Sequence, residues 1–337
     1  MKVFSLVIYV VLQVLCLPLL IVGVLLGAYR QMVVSKRLGL SNTAIKVIQA
    51  RWTMDRFGIR SDPDSVRLTN VLPNASPVGL WLVLFPLWVK YKICGDLFLY
   101  PTVPAVGSEG LANFLIARTL YIDRMIRSAV THVEQVVVLG AGYDVRCYAE
   151  LKREGLSCFE VDQPAVQQHK RANLKHAGIN MSHVTFVEVD FRQDEVFSKL
   201  CANGYDIGKR TLFLWEGVTL YLSEDDVRKM LRGIRAHAPS GSVLVADFYN
   251  LEKMLARMKQ SKEVMNKAGK YTGEELGFSL SFGDDCDQAL NRFLNSEDLT
   301  TGDTYFLGKM SKLGPFVVVS EVRLWQCART LRVTNFH

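Results

Sequence analysis

Four short segments of this chain put glycines and acidic residues where a nucleoside could be held. The first is Leu139-Gly140-Ala141-Gly142-Tyr143-Asp144-Val145-Arg146, directly after a β-branched run. Its two glycines allow a tight turn and a close approach of backbone to ligand, at the positive end of an expected following helix. Val145 stands where the dinucleotide fingerprint has its third glycine. That disfavours a pyrophosphate-bearing cofactor but not an adenosyl group without phosphate. The second segment, Glu160-Val161-Asp162-Gln163-Pro164, offers Asp162 as acceptor for both hydroxyls of a ribose. In the third, Glu188-Val189-Asp190-Phe191, Asp190 suits an adenine amino group and Phe191 the ring face. The fourth is Trp215-Glu216-Gly217-Val218-Thr219-Leu220-Tyr221-Leu222. Each piece alone is common, because an acid at a strand end often only caps a helix. Four in order mark the edge where open α/β sheets bind ligands.

The elements that must carry these segments are legible as apolar runs: Gln135–Leu139, Ser157–Val161, Val184–Val189, Thr211–Trp215 and Ser242–Phe248. Helix-compatible stretches lie between them at Tyr143–Glu154, Ala165–His176 and Ser223–His237. The last opens on an N-cap serine followed by acids. Continuous apolar strands alternating with amphipathic helices predict a parallel sheet covered on both faces. Gly302–Leu307 and Phe316–Cys327 read as two more strands joined by a short link, hence an antiparallel pair. The fold expected is doubly wound α/β, with seven strands and the last antiparallel.

The chain has 337 residues, 49% of them apolar, enough for one large core plus appendages. A net charge of +7 with no basic run or nucleic-acid-binding motif predicts a solvated basic surface or a modest attraction to anionic lipid, and no nucleic-acid partner. The seven cysteines are widely spaced and the six histidines show no ligand spacing, so neither a disulfide framework nor a metal site is expected. Val3–Ala28 is almost wholly apolar. As one helix of about 39 Å it would cross a bilayer. The competing reading, a cleavable signal, fits less well because the run is long and Tyr29, Arg30 and Gln31 follow it. Lys36 and Arg37 place the remainder on the cytosolic side of a single-pass anchor. A second run, Val78–Val89, is too short to span; it reads equally as a buried cap element or an interfacial segment.

From about Thr43 onward the chain resembles the leucine carboxyl methyltransferase family, including its bacterial-type branch acting on small molecules. The resemblance rests on Thr43-Ala44 with Ala50-Arg51, Asp62-Pro63, Ala117-Arg118-Thr119 with Asp123, and the LGAGYDVR, EVDQP and EGVTLYL segments. It implies a Rossmann-like methyltransferase sheet over 111–337; the helical cap (31–110) and the apolar anchor (1–30), which the family does not generally need, precede it. It also implies S-adenosylmethionine as cofactor. Arg118 would hold the methionine carboxylate, an assignment that competes with a plain surface arginine. Gly140 and Gly142 would lie beside the cofactor, Asp162 at the ribose, Asp190 and Phe191 at the adenine, and Glu216 near the methionine end. Tyr221 reads either as an acceptor-pocket residue or as core. The apolar stretch Val66–Pro104 is expected to cover the acceptor pocket.

Methyl transfer to a carboxylate needs no general base, since carboxyl groups ionise near pH ~4. The expectation is O-methylation of a carboxylate or hydroxyl on an apolar, membrane-proximal small molecule. The alternatives are a protein C-terminal carboxyl methyltransferase and a catalytically silent scaffold. The acceptor's identity, the membrane and the oligomeric state are not legible.

Overall fold

A computed structural model describes residues 2–260, 262–263, 275–283 and 285–324. Cys327, His337 and the end of the expected Phe316–Cys327 strand lie outside these residues. The seven strands are β1 (Gln135–Leu139), β2 (Ser157–Asp162), β3 (Val184–Glu188), β4 (Thr211–Trp215), β5 (Val243–Tyr249), β6 (Thr300–Leu307) and β7 (Val317–Arg323). They form one sheet in the order β3-β2-β1-β4-β5-β7-β6. β1 to β5 pair in parallel, and β7 runs antiparallel to both β5 and β6. The expected seven-stranded α/β architecture is therefore what the chain adopts.

Both faces of the sheet are covered, which is why β1 and β4 are apolar after their first residues, Gln135 and Thr211. All five residues of β1 are buried. Val136 and Val138 point into one core with Ile122 and Ile126, while Val137 and Leu139 point into another with Leu231 and Ile234.

The helices before the sheet are α1 (Lys2–Leu15), α2 (Leu17–Ala28), α3 (Ser35–Leu38), α4 (Asn42–Arg56), α5 (Pro63–Val71), α6 (Pro77–Cys94) and α7 (Phe114–Ala129). Those within it are α8 (Pro164–His176), α9 (Val196–Ala202), α10 (Glu224–His237), α11 (Leu251–Met258) and α12 (Cys286–Asn295). Helix α10 starts in a capping box. Ser223 Oγ accepts from the Asp226 amide, and the Asp226 carboxylate accepts from the Ser223 amide.

Three expectations are corrected. The apolar N-terminal run is not one helix: it breaks at Cys16, because Pro18 has no N–H to continue the ladder. The run Val78–Val89 belongs to a longer helix, α6, which extends to Cys94 with Pro86 inside it. The stretch Tyr143–Glu154 is not a helix. It contains only a 3₁₀ turn at Arg146–Tyr148, because Arg146 turns inward into an ion cluster. The glycine loop therefore ends without a long helix, and no helix dipole supports it.

Candidate active site

A cleft enclosing about 1250 Å³, its open mouth included, lies beyond the carboxyl ends of β1 to β4. The sheet side supplies Gly140, Gly142, Asp162, Asp190, Phe191 and Glu216. Arg118 comes from α7, and Tyr221 from the turn after β4. The structure thus brings all eight residues singled out from the sequence to one cavity. The opposite wall is Leu40, Thr43, Val47, Ile48 and Arg51, from α4 and the turn before it. None of its lining residues comes from Val66–Pro104, so the expected cover is corrected. Val66 and α6 pack instead into a separate cluster with Trp52 and Phe57, while Leu68, Leu72 and Ala75 join the core that holds Ile122 and Ile126. The wall draws on both sides of the 110/111 boundary.

Gly140 has φ +69°, and a Cβ there would fall 2.3 Å from Val218 Cγ2. Backbone and Val218 thus meet at the cleft floor, where only glycine fits. Asp162, at the end of β2, fixes this loop: its Oδ2 accepts from the Gly142 amide at 2.6 Å and its Oδ1 from the Gln163 amide at 2.7 Å. Desolvation raises the Asp162 pKa, and these two amides oppose the rise. After β3, Asp190 Oδ1 accepts from the Arg192 amide at 3.0 Å, and Phe191 is half-buried beside it. Tyr221 OH and Thr43 Oγ1 are 2.7 Å apart, joining the sheet side to α4.

Glu216 sits in a cage of three buried arginines. Its Oε1 accepts from Arg118 Nη2 at 3.0 Å; its Oε2 accepts from Arg51 Nη2 at 3.0 Å and Arg146 Nη1 at 2.7 Å. Burial would raise the Glu216 pKa, but Arg146, then Arg118 and Arg51, hold it down at about 2. Asp144 is likewise held well below the carboxylate range, burial being outweighed by Arg146 and Arg51. Arg146 also reaches Asp123 at 2.8 Å, and Arg118 reaches Asp247 at 3.1 Å and the Tyr249 hydroxyl. Arg118 is only 1% exposed, so it is not a surface arginine. Buried charges persist only when paired in this way. Arg51 Nε and Nη1 and Arg118 Nε are buried and have no protein partner, and both residues border the cleft.

The sequence reading missed Arg51, Asp123, Asp144, Arg146 and Asp247 as members of this cluster. Arg51 and Asp123 stood in segments carrying the family resemblance. Asp247 repeats, near the end of β5, the acid-at-strand-end pattern of Asp162 and Asp190. Among the described residues no His, Cys, Asp or Glu group is arranged to hold a metal ion.

The family model for leucine carboxyl methyltransferases matches residues 101–235. YktD of Bacillus subtilis (strain 168), assigned by name to the S-adenosyl-L-methionine-dependent methyltransferases, is 26% identical over 217 residues, covering 60% of this chain and 69% of that protein. SCO7813 of Streptomyces coelicolor, assigned by name to the same class, is 37% identical over 168 residues, covering 47% of this chain and 58% of its own. Several other such relatives are matched over little more than half their length, as for a Mycolicibacterium paratuberculosis protein at 53%. Among solved structures, the magnesium protoporphyrin IX methyltransferase of Synechocystis PCC 6803 superposes with a TM-score of 0.41 at 13% identity, covering 65% of this chain and 90% of that one.

Proposed function

We propose that this chain binds S-adenosylmethionine in the cleft and methylates an oxygen of an apolar, membrane-proximal small molecule, a reading supported by the match of residues 101–235 to the leucine carboxyl methyltransferase family model. A carboxylate is the first choice of acceptor and a hydroxyl the second. The observation that carries the proposal is the convergence on one cleft of the Asp162-braced glycine loop and the Arg51, Arg118 and Glu216 cage.

The residues fit the cofactor. Asp162 would accept from the ribose hydroxyls while holding Gly142. Asp190 and Phe191 would take the adenine, and Gly140 would lie beside the cofactor. Arg51 and Arg118 would hold the methionine carboxylate, with Glu216 fixing both guanidinium groups. When bound, the cofactor supplies an electrophilic methyl on a sulfonium. What this chain adds is alignment and exclusion of water: the α4 wall closes over the sheet edge, and Tyr221 with Thr43 borders the space left for an acceptor. A carboxylate acceptor arrives ionised, so none of these residues need remove a proton.

The reading includes attachment to a membrane through α1 and α2, with the catalytic body on the cytosolic side. Both helices are apolar, and Gly23 is the one buried residue of α2. Supplying methyl-labelled cofactor with a lipid extract, and then treating the product with mild alkali, tests the proposal. A carboxyl methyl ester releases its label as methanol and a methyl ether keeps it. Label appearing only on peptides with a free C-terminal carboxylate would favour the protein-modifying alternative. Absence of both cofactor binding and label would favour the silent scaffold.

A further inference from the structure

The chain on both sides of α6 belongs to one folded body. Before it, α4 gives Arg51 to the Glu216 cage, and Arg60 in the following turn pairs with Asp123. After it, α7 gives Arg118 and Asp123 to the same cage. At 18 residues α6 is about 27 Å long, close to the thickness of a hydrocarbon layer. If it crossed that layer, residues 95–113 would have to return through lipid. A non-helical segment there leaves backbone groups unsatisfied at several kcal/mol each. Instead α6 lies along the body. Near its start Trp81 meets Trp52 edge-on at 5.3 Å, and near its end Tyr91 meets Phe57 at 5.7 Å.

The N-terminal helices pack against α6 as well. A Cβ on Gly23 would lie 2.8 Å from the carbonyl oxygen of Gly79, and one on Gly79 would lie 2.7 Å from that of Gly23. Such backbone contact is how helices associate in lipid. At the other end, Tyr9 of α1 meets Phe98, just beyond α6, at 5.6 Å. So α1 and α2 run antiparallel to α6 over its length, while α6 runs along the body. A helix held in this way cannot stand upright in a bilayer with the body below its end.

We propose that the protein is monotopic: α1, α2 and the outer edge of α6 lie in the plane of one leaflet, and the body rests on that leaflet. This rests on the membrane reading above and replaces the single pass expected from the sequence. The partner is a bilayer with anionic headgroups. No acidic residue precedes Asp55, whereas Arg30, Lys36 and Arg37 are exposed where the apolar segment ends. On α6 the exposed residues Val78, Phe85 and Lys92 recur every seventh position, an apolar line ending in a cation. The cleft wall begins at Gly39, directly after this segment, so the cleft lies beside the leaflet from which an apolar acceptor would come.

The test is synthesis of the full chain, with an N-terminal epitope tag, in the presence of sealed vesicles of phosphatidylcholine and phosphatidylserine, followed by external protease. The expected result is sedimentation with the vesicles and loss of the tag at the same rate as the body. A tag protected until detergent is added, with the body digested, would overturn the in-plane arrangement and restore a spanning helix. Failure to sediment at all would overturn the membrane reading itself. In a second arm, Val78→Glu combined with Phe85→Glu alters two exposed positions and leaves the body folded. Vesicle partition should drop on the order of tenfold, and unchanged partition would remove α6 from the leaflet and refute the proposal.

Discussion

Replacing Glu216 by Gln keeps the side chain's shape and removes the one charge that three arginines share. Burial opposes the ionised form, yet Arg146, Arg118 and Arg51 bring its pKa from 4.5 down to about 2. At about 1.4 kcal/mol per pH unit, the cage favours the carboxylate by about 3 kcal/mol over a neutral group. The folded pKa lies below the unfolded one. Stability from this group is therefore present above pH 4.5 and is lost as pH falls through 2. Urea unfolding of wild type and Glu216→Gln in detergent micelles should differ by about 3 kcal/mol at pH 7. The gap should shrink by more than half on going to about pH 3. A gap below about 1 kcal/mol at pH 7, or one that stays constant on acidification, would refute the cage as a source of stability.

Asp162→Ala should weaken S-adenosylmethionine binding by about 1–3 kcal/mol, since it strands the Gly142 amide as well as the ribose contact; an unchanged dissociation constant in calorimetry contradicts the ribose role. Gly140→Ala combines positive φ with a Cβ placed 2.3 Å from Val218 Cγ2, so affinity and melting temperature should both fall, and Val218→Ala should restore part of each. Burial pushes the Glu160 carboxyl up to about 7 even with Lys170 Nζ at 2.7 Å. Because that folded pKa lies above the unfolded 4.5, the contribution is present below pH 4.5 and lost as pH rises through 7. Relative to Glu160→Gln, wild type should therefore lose about 3 kcal/mol between about pH 4.5 and 7.5, and a flat difference would sink this assignment.

The sheet was legible because strands buried on both faces are mostly apolar, without alternation. Gln135–Leu139 and Thr211–Trp215 were placed to the residue for that reason. Asp162, Asp190 and Glu216 were legible because each acid terminates such a run. Arg51 was not: its partner Asp144 lies 93 positions away, and local pattern carries no trace of a pairing across that distance. Composition also misled. Val66–Pro104 is apolar as a pocket cover would be, but its apolar surface is spent on the main core through Leu68 and Leu72, on Trp52 and Phe57, and on the N-terminal helices. At Tyr143–Glu154 helical periodicity was present, yet the guanidinium of Arg146 pairs with Asp123, Asp144 and Glu216, and tertiary charge pairing overrode propensity.

The central claim is that the sheet edge beyond β1 to β4 receives the cofactor. A crystal structure of the chain with S-adenosylhomocysteine tests it most directly. The account predicts a ribose within hydrogen-bond distance of Asp162, an adenine against Phe191 and a carboxylate on Arg51 or Arg118. Density for that molecule at another place, or none at saturating concentration, would contradict it.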